Sequence, residues 1–235
     1  MCVNCDSGIL SRRGLLTGGL ALAMAAPLAA RASAETGAAA PVSPDEALQR
    51  LMDGNARYVA NQPINTDHSA DRASRAQGQQ PFAAIVSCAD SRVAPELIFD
   101  QGPGELFVIR VAGNFINEDG LASLEYGAAV LGIKTILVLG HTACGAVDAT
   151  IQAIQDNTLP PGHLPSLVNA IRPAVYDAMA AEPEDLLATA TARNATLNAE
   201  RAQTAGPILG DLYAAGKLKA AAGIYDIATG KVNFL

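Results

Sequence analysis

No tryptophan occurs in the 235 residues, and five phenylalanines with five tyrosines make up the whole aromatic supply. A chain that is 50 % hydrophobic must then fill its core with Ala, Val, Leu and Ile, as helix-covered sheets do, which argues against an all-β sandwich. Basic residues are outnumbered 16 to 23, and an acidic body is a poor partner for nucleic acid. The apolar stretch from Leu15 to Ala30 is interrupted by Thr17, Gly18, Gly19 and Pro27. It falls short of the ~20 residues that span a bilayer, so no permanent membrane span is expected. No internal repeat is visible, and the length suits one domain.

The stretch does fit an export signal. Arg12 and Arg13 precede it, and Ala32-Ser33-Ala34 follows as a small-residue cleavage site. Ser11-Arg12-Arg13-Gly14-Leu15-Leu16 resembles the twin-arginine signal, which serves already folded proteins, with Leu15 where that pattern favours Phe. Residues 1–34 are therefore read as a signal peptide, and the mature chain as periplasmic or secreted. Its removal leaves 13 basic and 22 acidic residues, a net charge of about −9.

Cysteine and histidine are also scarce: Cys2, Cys5, Cys88 and Cys144, with His68, His141 and His163. Cys2 and Cys5 form an isolated C-x-x-C that leaves with the leader. His68 and His163 lie in polar loops and read as solvated surface residues. Cys88 and Cys144, taken alone, fit buried small hydrophobes or a disulfide in an oxidising compartment.

Residues 35–43 read as a linker and 44–235 as the folded domain. Ser43-Pro44-Asp45-Glu46 supplies an N-cap, an early proline and first-turn acids, predicting a helix over residues 44–60. Residues 61–80 read as an extended loop, with at most a short helix. Near-continuous apolar runs at 82–87, 106–111 and 135–139 predict strands, with helices at 120–131 and 146–155 between and after them. After the turn at 158–162, residues 164–204 are helical, divided or kinked by Pro173 and Pro183. Segments 221–227 and 232–235 read as two strands joined by a tight turn. The fold expected is a single α/β domain: a mostly parallel sheet covered by helices, an N-terminal helical arm and an antiparallel C-terminal strand.

Two of these strands run directly into reactive loops. Ile85-Val86-Ser87 leads to Cys88-Ala89-Asp90-Ser91-Arg92, and Leu137-Val138-Leu139-Gly140 leads to His141-Thr142-Ala143-Cys144-Gly145. Sites in open α/β sheets form outside the carboxyl ends of strands, so both loops should open onto one crevice. Two thiolates and an imidazole suit zinc, and three protein ligands leave a fourth position for water, the layout of a catalytic site.

The two loops resemble the C-x-D-S-R and H-x-x-C-G signatures of the beta-class carbonic anhydrases. The resemblance extends through Gly54-Asn55-Ala56-Arg57-Tyr58, Gln79, Pro103-Gly104-Glu105, Arg110, Glu125-Tyr126, Tyr225-Asp226 and Thr229-Gly230, and so covers residues 44–235. It implies one Zn2+ per subunit on Cys88, His141 and Cys144, with Asp90 and Arg92 paired beside it. It also implies that Gln79 lies near substrate oxygens, often across a subunit interface, that the Gly145 N–H is a further donor, and that Tyr126 is a pocket residue. A homodimer or homotetramer, with the arm wrapping a partner, follows from the same likeness. Family members regulated by bicarbonate share a Trp, Arg and Tyr trio; here Ile85, Arg110 and Tyr126 stand at the matching positions, so the Trp is lost.

The activity this implies is reversible hydration of carbon dioxide to bicarbonate, because zinc lowers the pKa of bound water towards ~7. A carbonyl sulfide or carbon disulfide hydrolase on the same scaffold is the nearest alternative, and a non-catalytic zinc or redox-sensing protein the alternative of another class.

Overall fold

The computed structural model describes residues 42–69 and 71–235. The expected signal peptide, its C-x-x-C and most of the linker lie outside them. Val42–Leu235 form one compact unit.

The chain runs α1 (Pro44–Val59), α2 (Arg72–Arg75), β1 (Ala83–Ser87), α3 (Pro95–Ile98), β2 (Leu106–Arg110) and α4 (Glu118–Tyr126), which continues as a π-helical turn over Gly127–Leu131. It goes on through β3 (Thr135–His141), α5 (Gly145–Gln155), α6 (Leu164–Ala180), α7 (Leu186–Thr204), α8 (Ile208–Ala214), β4 (Lys219–Tyr225) and β5 (Val232–Phe234). The sheet order is β2-β1-β3-β4-β5, with the first four strands parallel and β5 antiparallel to β4.

Burial of the strands on both faces explains why they read as continuous apolar runs rather than alternating ones. Ala84, Val86, Ile136 and Val138 point to one layer, with Ile116, Leu124, Ala195, Ala199 and Leu209 from the π-bearing side and α7–α8. Ala83, Ile85, Leu137 and Leu139 point to the other, against Ala47 and Leu51 of α1 and Ile98 and Phe99 around α3. A third cluster joins α5, α6 and α7 around Cys88 and Cys144. Truncating fully buried Leu51 to Ala would cost about 3 kcal/mol.

The N-cap expected at Ser43 is present and closes as a capping box: the Ser43 side chain accepts from the Glu46 N–H, and Glu46 reaches back to the Ser43 N–H. The Gly54-to-Tyr58 segment is explained residue by residue. A Cβ at Gly54 would stand 1.8 Å from the Phe99 carbonyl oxygen, so only glycine lets α1 close on α3. Asn55 Nδ2 donates to the carbonyls of Ile98 (3.1 Å) and Gly230 (2.9 Å), and its Oδ1 accepts from the Val232 N–H (2.9 Å), tying α1 to the C-terminal hairpin. Arg57 binds Asp100, and the Tyr58 hydroxyl meets that of Tyr225 at 3.3 Å.

Several expectations are corrected. Strand β3 runs two residues past Leu139, because Gly140 and His141 continue the ladder opposite Ile224 and Tyr225 of β4. Gly140 reads as a strand end but serves close packing: a Cβ there would meet Ile224 Cδ1 at 2.8 Å and Thr191 Cγ2 of α7 at 3.3 Å. Pro173 sits inside an uninterrupted α6, whereas Pro183 falls in the break between α6 and α7. Helix α4 starts at Glu118, because Asn117 caps it by accepting from the Gly120 N–H. Helix α8 and the four-residue α3 carry too few residues for a legible period.

Candidate metal centre

Strands β1 and β3 are parallel neighbours, with Ser87 opposite Leu139, so the loops after them leave the sheet side by side. Cys88 follows β1 at once, His141 is the last residue of β3, and Cys144 caps α5. The tight turn between the last two has Ala143 at φ +54°. The ligand atoms of Cys88, His141 and Cys144 all lie within 4.8 Å of one another, and all three residues are buried. Both cysteines are free thiols, which removes the disulfide reading. The group is Cys-His-Cys, as the loops predicted; His68 and His163 are exposed and stand outside it.

The histidine is presented in one orientation. Its Nδ1 lies 2.9 Å from the Thr142 carbonyl oxygen, so Nδ1 carries the hydrogen and Nε2 keeps its lone pair. Thr142 is itself held, its N–H donating to the Tyr225 carbonyl at 3.0 Å and its Oγ1 accepting from the Ile227 N–H at 3.1 Å. His141 is wholly buried, yet its Nε2 has no hydrogen-bond partner. An acceptor nitrogen left bare inside a protein costs free energy unless something fills its lone pair. A divalent cation between Nε2 and the two sulfurs does so, and the soft donor set is the one zinc takes. The residues present therefore fit the metal.

The thiols titrate as a pair. The hydrogen bond from Cys144, helped by His141 and the Gly113 N–H, draws Cys88 well below the usual thiol range, while the same contact with Cys88, together with burial, pushes Cys144 up. A bound cation requires both sulfurs as thiolates, so binding would release the protons they carry. Burial works against protonation of His141, but the contacts with Cys88 and Thr142 outweigh it and the net shift is upward.

Asp90 and Arg92 form a two-toothed pair: Arg92 Nε donates to Oδ1 at 2.9 Å and Nη2 to Oδ2 at 2.7 Å, and the Arg92 N–H adds a third bond to Oδ1 at 2.9 Å. The Arg92 guanidinium holds the Asp90 carboxyl well below the usual carboxylate range, against the opposing effect of burial. Asp90 Oδ2 stands 3.9 Å from His141 Nε2, which puts an ionised acceptor over the mouth of the centre.

The first loop is clamped by a residue whose role the sequence did not suggest. Arg110, at the end of β2, donates through Nε to the Cys88 carbonyl (3.0 Å) and through Nη2 to the Asp90 carbonyl (2.6 Å). Its place opposite Ser87 in the β1–β2 register is the signal, which a linear reading does not show.

The three remaining sequence candidates are less closely joined to the centre. Gly145 opens α5 directly after Cys144; a Cβ there would meet nothing within 4 Å, so its backbone faces open space. Gln79 is exposed on the segment leading into β1, and Tyr126 ends α4 with 49 % of its surface exposed and its ring 6.4 Å from that of Phe107. Among the described residues, neither Gln79 nor Tyr126 makes a hydrogen bond to a member of the centre.

The family model for carbonic anhydrase matches residues 83–232. The chain belongs to the beta-class carbonic anhydrase family. It is 48 % identical to carbonic anhydrase 2 of Mycobacterium tuberculosis over 134 residues, which span 57 % of this chain and 65 % of that protein. Against the carbonic anhydrase of Pseudomonas aeruginosa the identity is 35 % over 201 residues, 80 % of this chain and 87 % of the relative. The solved structure of the β-carbonic anhydrase CcaA superposes with a TM-score of 0.62 at 30 % identity, covering 80 % of this chain and 91 % of that one. The signature loops thus sit on the fold of their family.

Proposed function

We propose that this protein catalyses the reversible hydration of carbon dioxide to bicarbonate and a proton, on one zinc ion held by Cys88, His141 and Cys144. The observation that carries the reading is the buried convergence of two free thiols and an unpartnered imidazole nitrogen beneath an ionised carboxylate. When bound, zinc would supply the Lewis acidity that lets water lose its proton near neutral pH, tempered here by the two thiolates that cancel its formal charge.

The chain's own residues supply the rest. Ionised Asp90 can only accept, so a water at the mouth of the centre must direct a hydrogen to its carboxylate and leave a lone pair free for carbon dioxide. Arg92 keeps that carboxylate charged and stationary, since a planar guanidinium grips both oxygens at once. The Gly145 N–H, at the start of a helix where amides have no helical acceptor, suits the developing charge on a substrate oxygen. Burial of the ligands excludes competing water from the sulfurs.

Residues 1–34 act as a twin-arginine-type leader to the periplasm or beyond, and 44–235 as the catalytic domain. A homodimer or homotetramer is supported by exposed apolar residues on and after α1, namely Tyr58, Val59 and Ile64, and by exposed Gln79, which would gain a role only from a second subunit.

Metal analysis of the purified protein, with hydration rates before and after chelation, tests the core of this reading. One zinc per chain and a rate that returns on adding zinc are expected. A metal-free active protein, or Cys88 and Cys144 joined to each other, would overturn it.

A further inference from the structure

Cys88 has a contact that the family signature does not contain. The N–H of Gly113, on the loop after β2, donates to Cys88 Sγ at 3.3 Å in a buried setting. Gly113 adopts φ +85°, and a Cβ there would strike Ile171 Cδ1 of α6 at 2.5 Å, so glycine is required both by conformation and by space.

What holds this loop is a pair of asparagines one turn apart on α7. Asn194 Nδ2 donates to the Gly113 carbonyl at 2.8 Å, and Asn198 Oδ1 accepts from the Ile116 N–H at 2.7 Å. Asn198 Nδ2 turns back to the Asn194 carbonyl at 2.8 Å. Both side chains are almost fully buried, in a helix that otherwise buries alanines and a threonine. Asparagine is a weaker helix former than alanine and costs free energy to desolvate, so each amide is retained against a penalty that its loop bond offsets. The bland account is that both only fasten a loop. The two bonds differ, however, in what lies beyond them: Asn198 holds Ile116, whereas Asn194 holds the residue whose own N–H meets a ligand sulfur.

We propose that Asn194 is a positioning residue for the metal centre, fixing through the Gly113 carbonyl the N–H that donates to the Cys88 sulfur. The inference rests on the zinc reading above. A hydrogen bond to a ligand thiolate withdraws electron density from it and pins its direction, which tunes both the affinity of the site and the character of the sulfur–metal bond.

The test measures zinc affinity by chelator competition and the sulfur-to-metal charge-transfer absorption of the cobalt-loaded protein. The full chain, Asn194→Ala, Asn194→Leu and Asn198→Ala are compared. Leucine keeps the outline of the asparagine without a donor and is the better helix former, so it serves where alanine's cavity disturbs folding. Both Asn194 variants should lose roughly 10-fold to 100-fold in zinc affinity and shift the charge-transfer band. Asn198→Ala should unfold as readily as they do yet stay within about threefold of the parent in affinity, with its band unmoved. Unchanged affinity and band in the Asn194 variants would overturn the proposal, as would equal changes in Asn198→Ala. Failure of the parent protein itself to bind zinc or cobalt would instead bring down the function proposed above.

Discussion

Two aspartates that flank α3 in the chain, Asp90 before it and Asp100 after it, each pair with an arginine, and the pairs are built very differently. Asp90 and Arg92 are two residues apart on one loop, with Arg92 Nη2 to Asp90 Oδ2 at 2.7 Å and side chains 17 % and 51 % exposed. Arg57 and Asp100 come from α1 and the turn after α3, with Asp100 only 1 % exposed in its side chain. Asp100 also accepts the N–H groups of Ile64 and Asn65, at φ +45°, so one carboxylate knits three segments together. Burial opposes its ionisation, yet Arg57 and those two amides prevail and lower its titration. The Asp90 carboxylate by contrast bonds only to Arg92 in its own turn, and its charge faces His141 Nε2. The better-buried pair is the structural one; what separates them is what the second carboxylate oxygen faces.

That contrast breaks if the two aspartates respond alike to the same substitution. The largest effect expected is on turnover: Asp90→Asn should lower kcat by about 100-fold, because an amide offers a hydrogen where an acceptor is needed. Zinc content and the urea midpoint should stay close to those of the parent. Full turnover in Asp90→Asn would end the role assigned to it.

Asp100→Asn should do the reverse. Asparagine tolerates the left-handed backbone and can still accept from the amides, so the loss is chiefly of charge, worth about 2 kcal/mol in unfolding free energy. The rate per zinc-loaded molecule should remain within about threefold of the parent. Because the folded Asp100 carboxyl titrates below its unfolded value of about 3.9, its stabilisation is present in full above that pH and drains away as the pH falls through the folded value. The stability gap between parent and Asp100→Asn should thus be constant near neutrality and close below about pH 4. A gap that widened with acid would refute the assignment. A smaller effect, about tenfold on kcat, is expected for Arg92→Lys, since a point charge cannot grip both Asp90 oxygens.

Most of this was legible beforehand, for identifiable reasons. β1 and β3 announced themselves because both of their faces are covered, so each is a near-continuous apolar run, whereas β4 and β5 were marked by the tight turn between them. Cys88, His141 and Cys144 stood out because scarce residue types recur at strand tips, and the parallel register of β1 and β3 brings those tips together. What stayed hidden depends on proximity between distant segments. Arg110 reaches the Cys88 loop only through the β1–β2 register, and Gly113 reaches the Cys88 sulfur only because α6 and α7 press its loop inward. Neither contact has a period or a spacing to betray it. Gly140 misled for a related reason: it looked like a terminator and is a packing site under α7.

Gln79 offers the smallest and most conditional effect, and it sharpens the comparison because its company is missing from a single chain. It is exposed, and no hydrogen bond joins it to the centre among the described residues. Within one subunit, then, Gln79→Ala should change nothing, as for any exposed loop residue. If a partner subunit's Gln79 donates to a substrate oxygen, the loss of one such bond, about 1 kcal/mol, lowers kcat/KM by about fivefold. The two cases separate on dilution. Kinetics of parent and Gln79→Ala, measured above and below the concentration at which sedimentation shows the subunits parting, should differ by that factor only in the associated form. A fivefold loss that persisted in isolated subunits would place the residue in its own site, and no loss at any concentration would remove it from the reaction.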